Sequence, residues 1–175
     1  FQAADGIRAS KGAGVQTWAL PVGVPWGEPV VLATAGGTVN QGSVPAIGPA
    51  GEVYVVWEQG WLNTPTPSIK IRKSTDGGLT FGATMNVATI GSLAFTSIPG
   101  YNRTNINDFP RIAVATAGTG SGNVYVTDHS LVSGNAQVFL WRSTDGGATL
   151  GGGLRAKENV RSALKVRPKI GCKTH

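Results

Sequence analysis

The chain is predicted to be all-β, assembled from repeated four-stranded antiparallel units. Three observations carry that prediction. An eight-residue turn is written twice, as Ser74-Thr75-Asp76-Gly77-Gly78-Leu79-Thr80-Phe81 and as Ser143-Thr144-Asp145-Gly146-Gly147-Ala148-Thr149-Leu150, identical at six of its eight positions. Each copy follows a short run of apolar and polar residues suited to a half-buried strand. Composition agrees: 26 glycines, 10 prolines and only 14% charged residues in 175 favour many short strands and turns. No amphipathic helix is legible before residue 150.

Taken in order, residues 7–33 are expected to be the end of a first unit. Ser10 to Trp18 reads as a worn version of the octet, with Gly in place of Asp and one residue too many. Glu28-Pro29-Val30-Val31-Leu32-Ala33 then supplies an apolar strand. The next unit is clearer. Ser43–Ile47 is a short inner strand, and Gly51 turns the chain into the β-branched and aromatic run Glu52–Glu58. After a Pro-rich loop, Ser68–Lys73 alternates strictly, and the octet turns the chain into a fourth strand over Phe81–Ala88. The unit that follows repeats this order with Phe109–Val114, Gly122–Thr127, Gln137–Arg142 and the second octet. Pro45 matches Pro110, Tyr54 matches Tyr125 and Ser74 matches Ser143, at separations of 65, 71 and 69 positions. After Leu150 the pattern is expected to break into a basic tail, irregular or short-helical, with Ala156–Leu164 as the conceivable helix.

The octet itself reads as a tight hairpin. Asp-Gly between strand-like runs is a strong turn signal, because glycine enters positive φ without penalty. The Asp carboxylate can accept from amides just ahead of it. Nothing in the octet is a nucleophile or a phosphate cradle, so its role is structural.

The octet fits Ser/Thr-x-Asp-x-Gly-x-x-aromatic, and here the chain resembles the Asp-box, or BNR-repeat, β-propellers, the sialidases among them. Residues 74–81 match fully, and 143–150 match except that Leu150 replaces the aromatic residue. The resemblance implies a partial β-propeller of four-stranded antiparallel blades with Asp-box hairpins. Its structural box residues are Ser74, Asp76, Gly78, Phe81, Ser143, Asp145 and Gly147. A four-stranded repeat that cannot bury its faces alone is also the mark of a propeller blade. The expected organisation is a propeller portion over 1–150, with a blade remnant at 1–42 and blades at 43–89 and 108–150, then a tail over 151–175. Propellers close with about 4–8 blades, so these blades cannot close a ring alone. A chain starting at Phe1 is read as a processed product or a piece of a longer protein.

Charge narrows the function. The net +6 is misleading until it is located. Residues 1–150 hold eight basic and eight acidic side chains, whereas 151–175 hold seven Lys or Arg against Glu158 alone. The body therefore has no nucleic-acid footprint, and no apolar run of about 18 residues suggests a membrane span. Cys172 is the only cysteine, so no intrachain disulfide is expected. His129 and His175 are the only histidines, which leaves no zinc-spaced cluster. No metal and no cofactor are expected.

In propeller sialidases, the resemblance implies, three arginines grip the substrate carboxylate, a Tyr–Glu pair supplies the nucleophile and an Asp serves as acid/base. The early Arg-Ile-Pro motif of that family is absent here, and Phe109-Pro110-Arg111-Ile112 has its letters in another order. No catalytic residue carries over one by one. The local catalytic candidates are Asp108 and Arg111 at the start of an inner strand, with Tyr101 and Arg103 in the loop before it. Without a substrate role, Asp108 and Arg111 are expected to form a surface ion pair beside a solvated loop. Glu58 and Asp128 occupy equivalent ends of two second strands and read as a polar rim ahead of a catalytic pair. Trp57, Trp61 and Trp141 read as packing between blades ahead of sugar stacking.

The expected function is a non-catalytic propeller module that scaffolds or binds glycan or protein. The alternative is a piece of an exo-α-sialidase-type glycoside hydrolase whose catalytic residues lie in other blades. Such a parent is expected to be secreted or at the cell surface. Open blade flanks predict self-association.

Overall fold

The two octets close the outer edges of two sheets built to one plan. In the computed structural model, residues 28–34, 36–96, 102 and 106–155 are described. Strands β1 (Asn40–Ile47), β2 (Val53–Gln59), β3 (Ser68–Ser74) and β4 (Met85–Thr89) form the first sheet, in that order. Strands β5 (Arg111–Val114), β6 (Val124–Val132), β7 (Asn135–Ser143) and β8 (Gly151–Arg155) form the second, also in order. Every neighbouring pair is antiparallel. Both sheets belong to one compact unit, which begins at Val31. No described helix is long and apolar enough to cross a membrane.

Each octet is held by a buried serine at the end of the third strand. Ser74 Oγ donates to Asp76 Oδ1 at 2.6 Å and accepts from the Gly78 amide at 2.8 Å and the Asp76 amide at 3.3 Å. Asp76 in turn accepts from the amide and the hydroxyl of Thr80. Ser143, Asp145, Gly147 and Thr149 repeat the same bonds at the same distances. Gly77 and Gly78 lie at φ 72° and 96°, and Gly146 and Gly147 at 67° and 84°, a region costly for residues with a Cβ. The turn is wider than the tight hairpin expected. Residues 75–84 separate β3 from β4, and the Gly82 amide donates to the Lys73 carbonyl to close the loop.

Register decides how the sheets meet. Val53 pairs with Ser74 and Val124 pairs with Ser143, so Tyr54 is equivalent to Tyr125 and Glu58 to His129. Side chains alternate faces along a strand, so a one-residue offset reverses the face. Tyr54, Val56 and Glu58 therefore share one face of the first sheet, while Val124, Val126 and Asp128 share the opposite face of the second. These are the faces that pack. The core joins Tyr54, Val56, Ile69 and Ile71 to Val124, Val126 and Trp141. At one end of the seam the second octet sits on Tyr54. The Tyr54 hydroxyl and Lys73 Nζ both donate to the Gly146 carbonyl, at 2.8 and 2.9 Å.

Several expectations change. Residues 28–34 form no strand, and Val31 is exposed. The pattern does not break at Leu150, because Gly151–Arg155 pairs with β7 as a fourth strand. Glycine here is tolerated at an edge where Gly153 lies against the Trp141 ring and a Cβ would stand 2.9 Å from it. β6 and β7 also run further than their apolar runs suggested. They meet at Ser133–Gly134, both at positive φ, in a two-residue turn of the kind that matches strand twist. The worn octet of residues 10–18 and the conceivable helix at 156–164 lie outside the described residues.

Replacing Ser74 by Ala is expected to cost about 1–3 kcal/mol, because it leaves the Gly78 amide without its acceptor beside a buried site. Asp76→Ala should lower the denaturant midpoint as well. The bonds from Ser74 and Thr80 pull the Asp76 carboxyl down to about 2, and Asp145 is lowered by its equivalent bonds. Depressed carboxyl values add stability above the unfolded value, and that stability is lost as pH falls through the folded one. An acid titration of the wild type and Asp76→Ala should therefore converge toward pH 2. Unchanged midpoints in either variant would show that the octet does not hold the turn.

Candidate functional site

Three carboxyl groups meet inside the seam. Glu58 stands at the end of β2, on the face of Tyr54 and Val56. Asp128 stands on β6 two residues beyond Val126. Asp108 comes from the segment just before β5. Glu58 and Asp108 are 0% exposed and Asp128 is 2% exposed.

The segment after β4 roofs this cluster. Ile90 donates its amide to the Pro67 carbonyl and Ser92 donates to Pro65. Gly91 lies so close to β6 that a Cβ would stand 2.3 Å from the Leu131 carbonyl oxygen, which only glycine permits. Its amide donates to Ser130 Oγ at 2.9 Å, and its carbonyl accepts from the Leu131 amide at 2.7 Å. Asp108 Oδ2 then accepts the Leu93 amide at 2.6 Å and the Ser92 hydroxyl at 3.2 Å. On the other side Trp61 meets Phe109 edge to face, with centroids 5.4 Å apart. The Phe109 ring fills the space over the β1 bulge, where Gly42 has φ 67° and leaves no room for a Cβ.

Much of the polarity inside is unpaired. Both Glu58 oxygens, both Asp128 oxygens and Asp108 Oδ1 lack hydrogen-bond donors among the described residues. Isolated buried carboxylates are costly, and they respond by holding protons. Burial pushes Glu58 up to about 9, reinforced by the charges of Asp108 and Asp128. Burial pushes Asp128 up to about 8; the His129 amide and Arg111 pull the other way, and Asp108 adds to the rise. The His129 amide lacks the geometry of a formed hydrogen bond. The cluster thus places two neutral acids, Glu58 and Asp128, beside the Asp108 side chain, which a backbone amide and a serine anchor.

The candidate residues named from sequence separate in the structure. Asp108 is buried, whereas Arg111 is exposed and donates to the Pro110 and Phe109 carbonyls at 2.9 and 3.4 Å. They are not a surface ion pair. Glu58 and Asp128 are not a rim and not equivalent, since the register matches Asp128 to Trp57. Tyr101 and Arg103 lie outside the described residues. Trp57, Trp61 and Trp141 are all buried, and Trp141 stacks on Phe139 at 5.8 Å. The sequence did place Asp108 beside Phe109 and Pro110; what it lacked was any sign that Gly91 and Ser92 would cover it. Among the described residues no His, Cys, Asp and Glu group is arranged to hold a metal ion.

A second concavity of about 510 Å³ lies between the two octets, over Lys73, Thr75, Thr80 and Met85, with Gly146–Ala148 as its far wall. It is open to solvent, unlike the acid cluster.

No protein-family model matches the chain, and no curated protein matches it. Among solved structures, the chain is similar to the Hadza microbial sialidase Hz136, at 16% identity and a TM-score of 0.48. That alignment covers 66% of this chain and 25% of the other, so the chain spans about a quarter of that protein's length.

The raised carboxyls give a pH dependence of definite sign. Glu58 and Asp128 hold protons in the folded protein that the unfolded chain releases above about pH 4. Their stabilisation is complete below that value and is lost as pH rises through about 8 and then 9. Melting temperature should accordingly fall from neutral pH toward pH 9. In Glu58→Gln, which cannot ionise, that fall should be shallower. Parallel wild-type and variant curves would show that Glu58 carries no proton at neutral pH.

Proposed function

We propose that the chain is a two-blade portion of an Asp-box β-propeller and acts as a non-catalytic module, scaffolding its parent or binding a glycan or protein at a surface concavity. The observation that carries this reading is the sealing of the acid cluster. The acids whose protonation is most altered are at most 2% exposed, so no substrate reaches them among the described residues. Their place is the seam between sheets, where neutral acids satisfy packing without a buried charge. The repeated octet supports the propeller assignment, since each copy has the same serine-centred bonds at the same edge. The parent is proposed to be secreted or at the cell surface, as expected for a glycan-facing propeller.

One observation favours a second reading, a piece of an exo-α-sialidase-type hydrolase. Glu58 and Asp128 carry protons at neutral pH, the state a general acid needs. An acid in that role must reach the leaving oxygen, and neither does so here.

A fluorogenic sialoside separates the two. No turnover is expected from this chain, because the acids lie sealed in the seam, out of reach of a sugar. Turnover that disappears in Asp108→Asn with the fold intact would install the hydrolase reading instead.

A further inference from the structure

The second sheet has an empty copy of a seat that the first sheet has filled. The concavity over the first sheet is formed by Lys73, Thr75, Thr80, Gly82, Ala83 and Met85, and is walled by Gly146, Gly147 and Ala148 of the second octet. A smaller one, about 350 Å³, lies over Arg142, Thr144, Thr149, Gly151, Gly152 and Leu154 of the second sheet. Each of these six residues follows its counterpart by the 69 positions that separate Ser74 from Ser143. The missing part is the wall.

The faces match as well. Tyr54, Ile71 and Lys73 on the covered face of the first sheet are equivalent to Tyr125, Leu140 and Arg142 on the outward face of the second. Tyr54 is buried, and its hydroxyl and Lys73 Nζ hold the Gly146 carbonyl. Gly147 fits against Tyr54 so closely that a Cβ would stand 2.9 Å from the ring. On the second sheet the same donors are uncommitted to any turn among the described residues. The Tyr125 hydroxyl accepts from Asn123 Nδ2 and retains its own proton to donate, while Arg142 is exposed. The apolar part of this face is bare, with Leu154 68% and Val138 40% exposed.

The wall that would complete the seat is present in the chain and unused. Gly77, Gly78 and Leu79 are the counterparts of Gly146, Gly147 and Ala148. Gly77 has nothing within 4 Å of where a Cβ would stand, and Leu79 is 76% exposed. The first octet cannot reach the second sheet's outward face within the same molecule, because its own sheet packs on the inward one.

We propose that the outward face of the second sheet is a docking surface for the first octet of a second copy of this chain. The Tyr125 hydroxyl and the Arg142 guanidinium receive the Gly77 carbonyl as Tyr54 and Lys73 receive Gly146, and Gly78 packs on the Tyr125 ring. The contact joins two different surfaces, so each added copy presents a fresh seat and a fresh octet, and assembly continues beyond a dimer. This inference rests on the equivalence of the two sheets and not on the function proposed above.

Sedimentation velocity over a concentration series of the full chain tests it. The wild type should give species that grow past the dimer as concentration rises. Arg142→Glu spoils the seat and Leu79→Arg spoils the octet; both sites are exposed, so circular dichroism and melting should match the wild type. Each variant alone should stay monomeric. Mixed together they should associate, because one supplies an intact octet and the other an intact seat. A monomeric wild type, a wild-type assembly that stops at two, or folded single variants that associate as the wild type does would each overturn the proposal.

Discussion

The seam between the two sheets depends on alternation of side chains across a strand. Each sheet carries apolar residues on both faces, and the serine that ends the third strand holds the turn into the fourth. With Val53 against Ser74 and Val124 against Ser143, the two sheets are in step. Two sheets in step that follow one another in the chain bury themselves by packing unlike faces, one forward and one backward. Tyr54 and Val56 thus meet Val124 and Val126, and no symmetric pairing of like faces is available. The second octet contributes twice, first by holding the turn between its third and fourth strands and then by seating its Gly146 carbonyl on the neighbour.

The acid cluster is a consequence of that packing. Glu58 and Asp128 would each lie on a solvated surface in an isolated sheet, where carboxylates cost little. Stacking brings them to one seam, and the glycine-tight segment over β6 closes the end that water would otherwise fill. Desolvation then outweighs the few donors present, and protons take the place of missing partners. Asp108 is reached by the Leu93 amide and the Ser92 hydroxyl. Its role is to tie the connection between the sheets to the start of β5, which fixes where the second sheet begins.

The same packing rule leaves faces over. A stack of in-step sheets always ends on one face of each kind, and here the outward face of the second sheet keeps the tyrosine, the cation and the apolar residues that its counterpart uses in the seam. Surface composition alone would not mark it, since Arg142, Thr127 and His129 make it look solvated. Its meaning comes from equivalence to a face whose contacts are visible.

The sequence by itself determined the local structure. The Ser-x-Asp-Gly-Gly octets, the alternation of Ser68–Lys73 and the β-branched run Val53–Trp57 specify turns and strands through interactions between residues close in the chain, and the all-β class follows. Strand ends were less legible where polar residues continue a strand, as at Asp128–Ser130, or where glycines form one, as at Gly151–Gly153, because pairing with a neighbour there outweighs propensity. Tertiary structure alone decided which face of each strand is buried. Glu58 and Asp128 look alike in sequence, and a two-position difference in loop length between the repeats hid that they point to opposite faces. Burial, protonation and the free docking face all turn on that difference, which exists only once the second sheet is laid on the first.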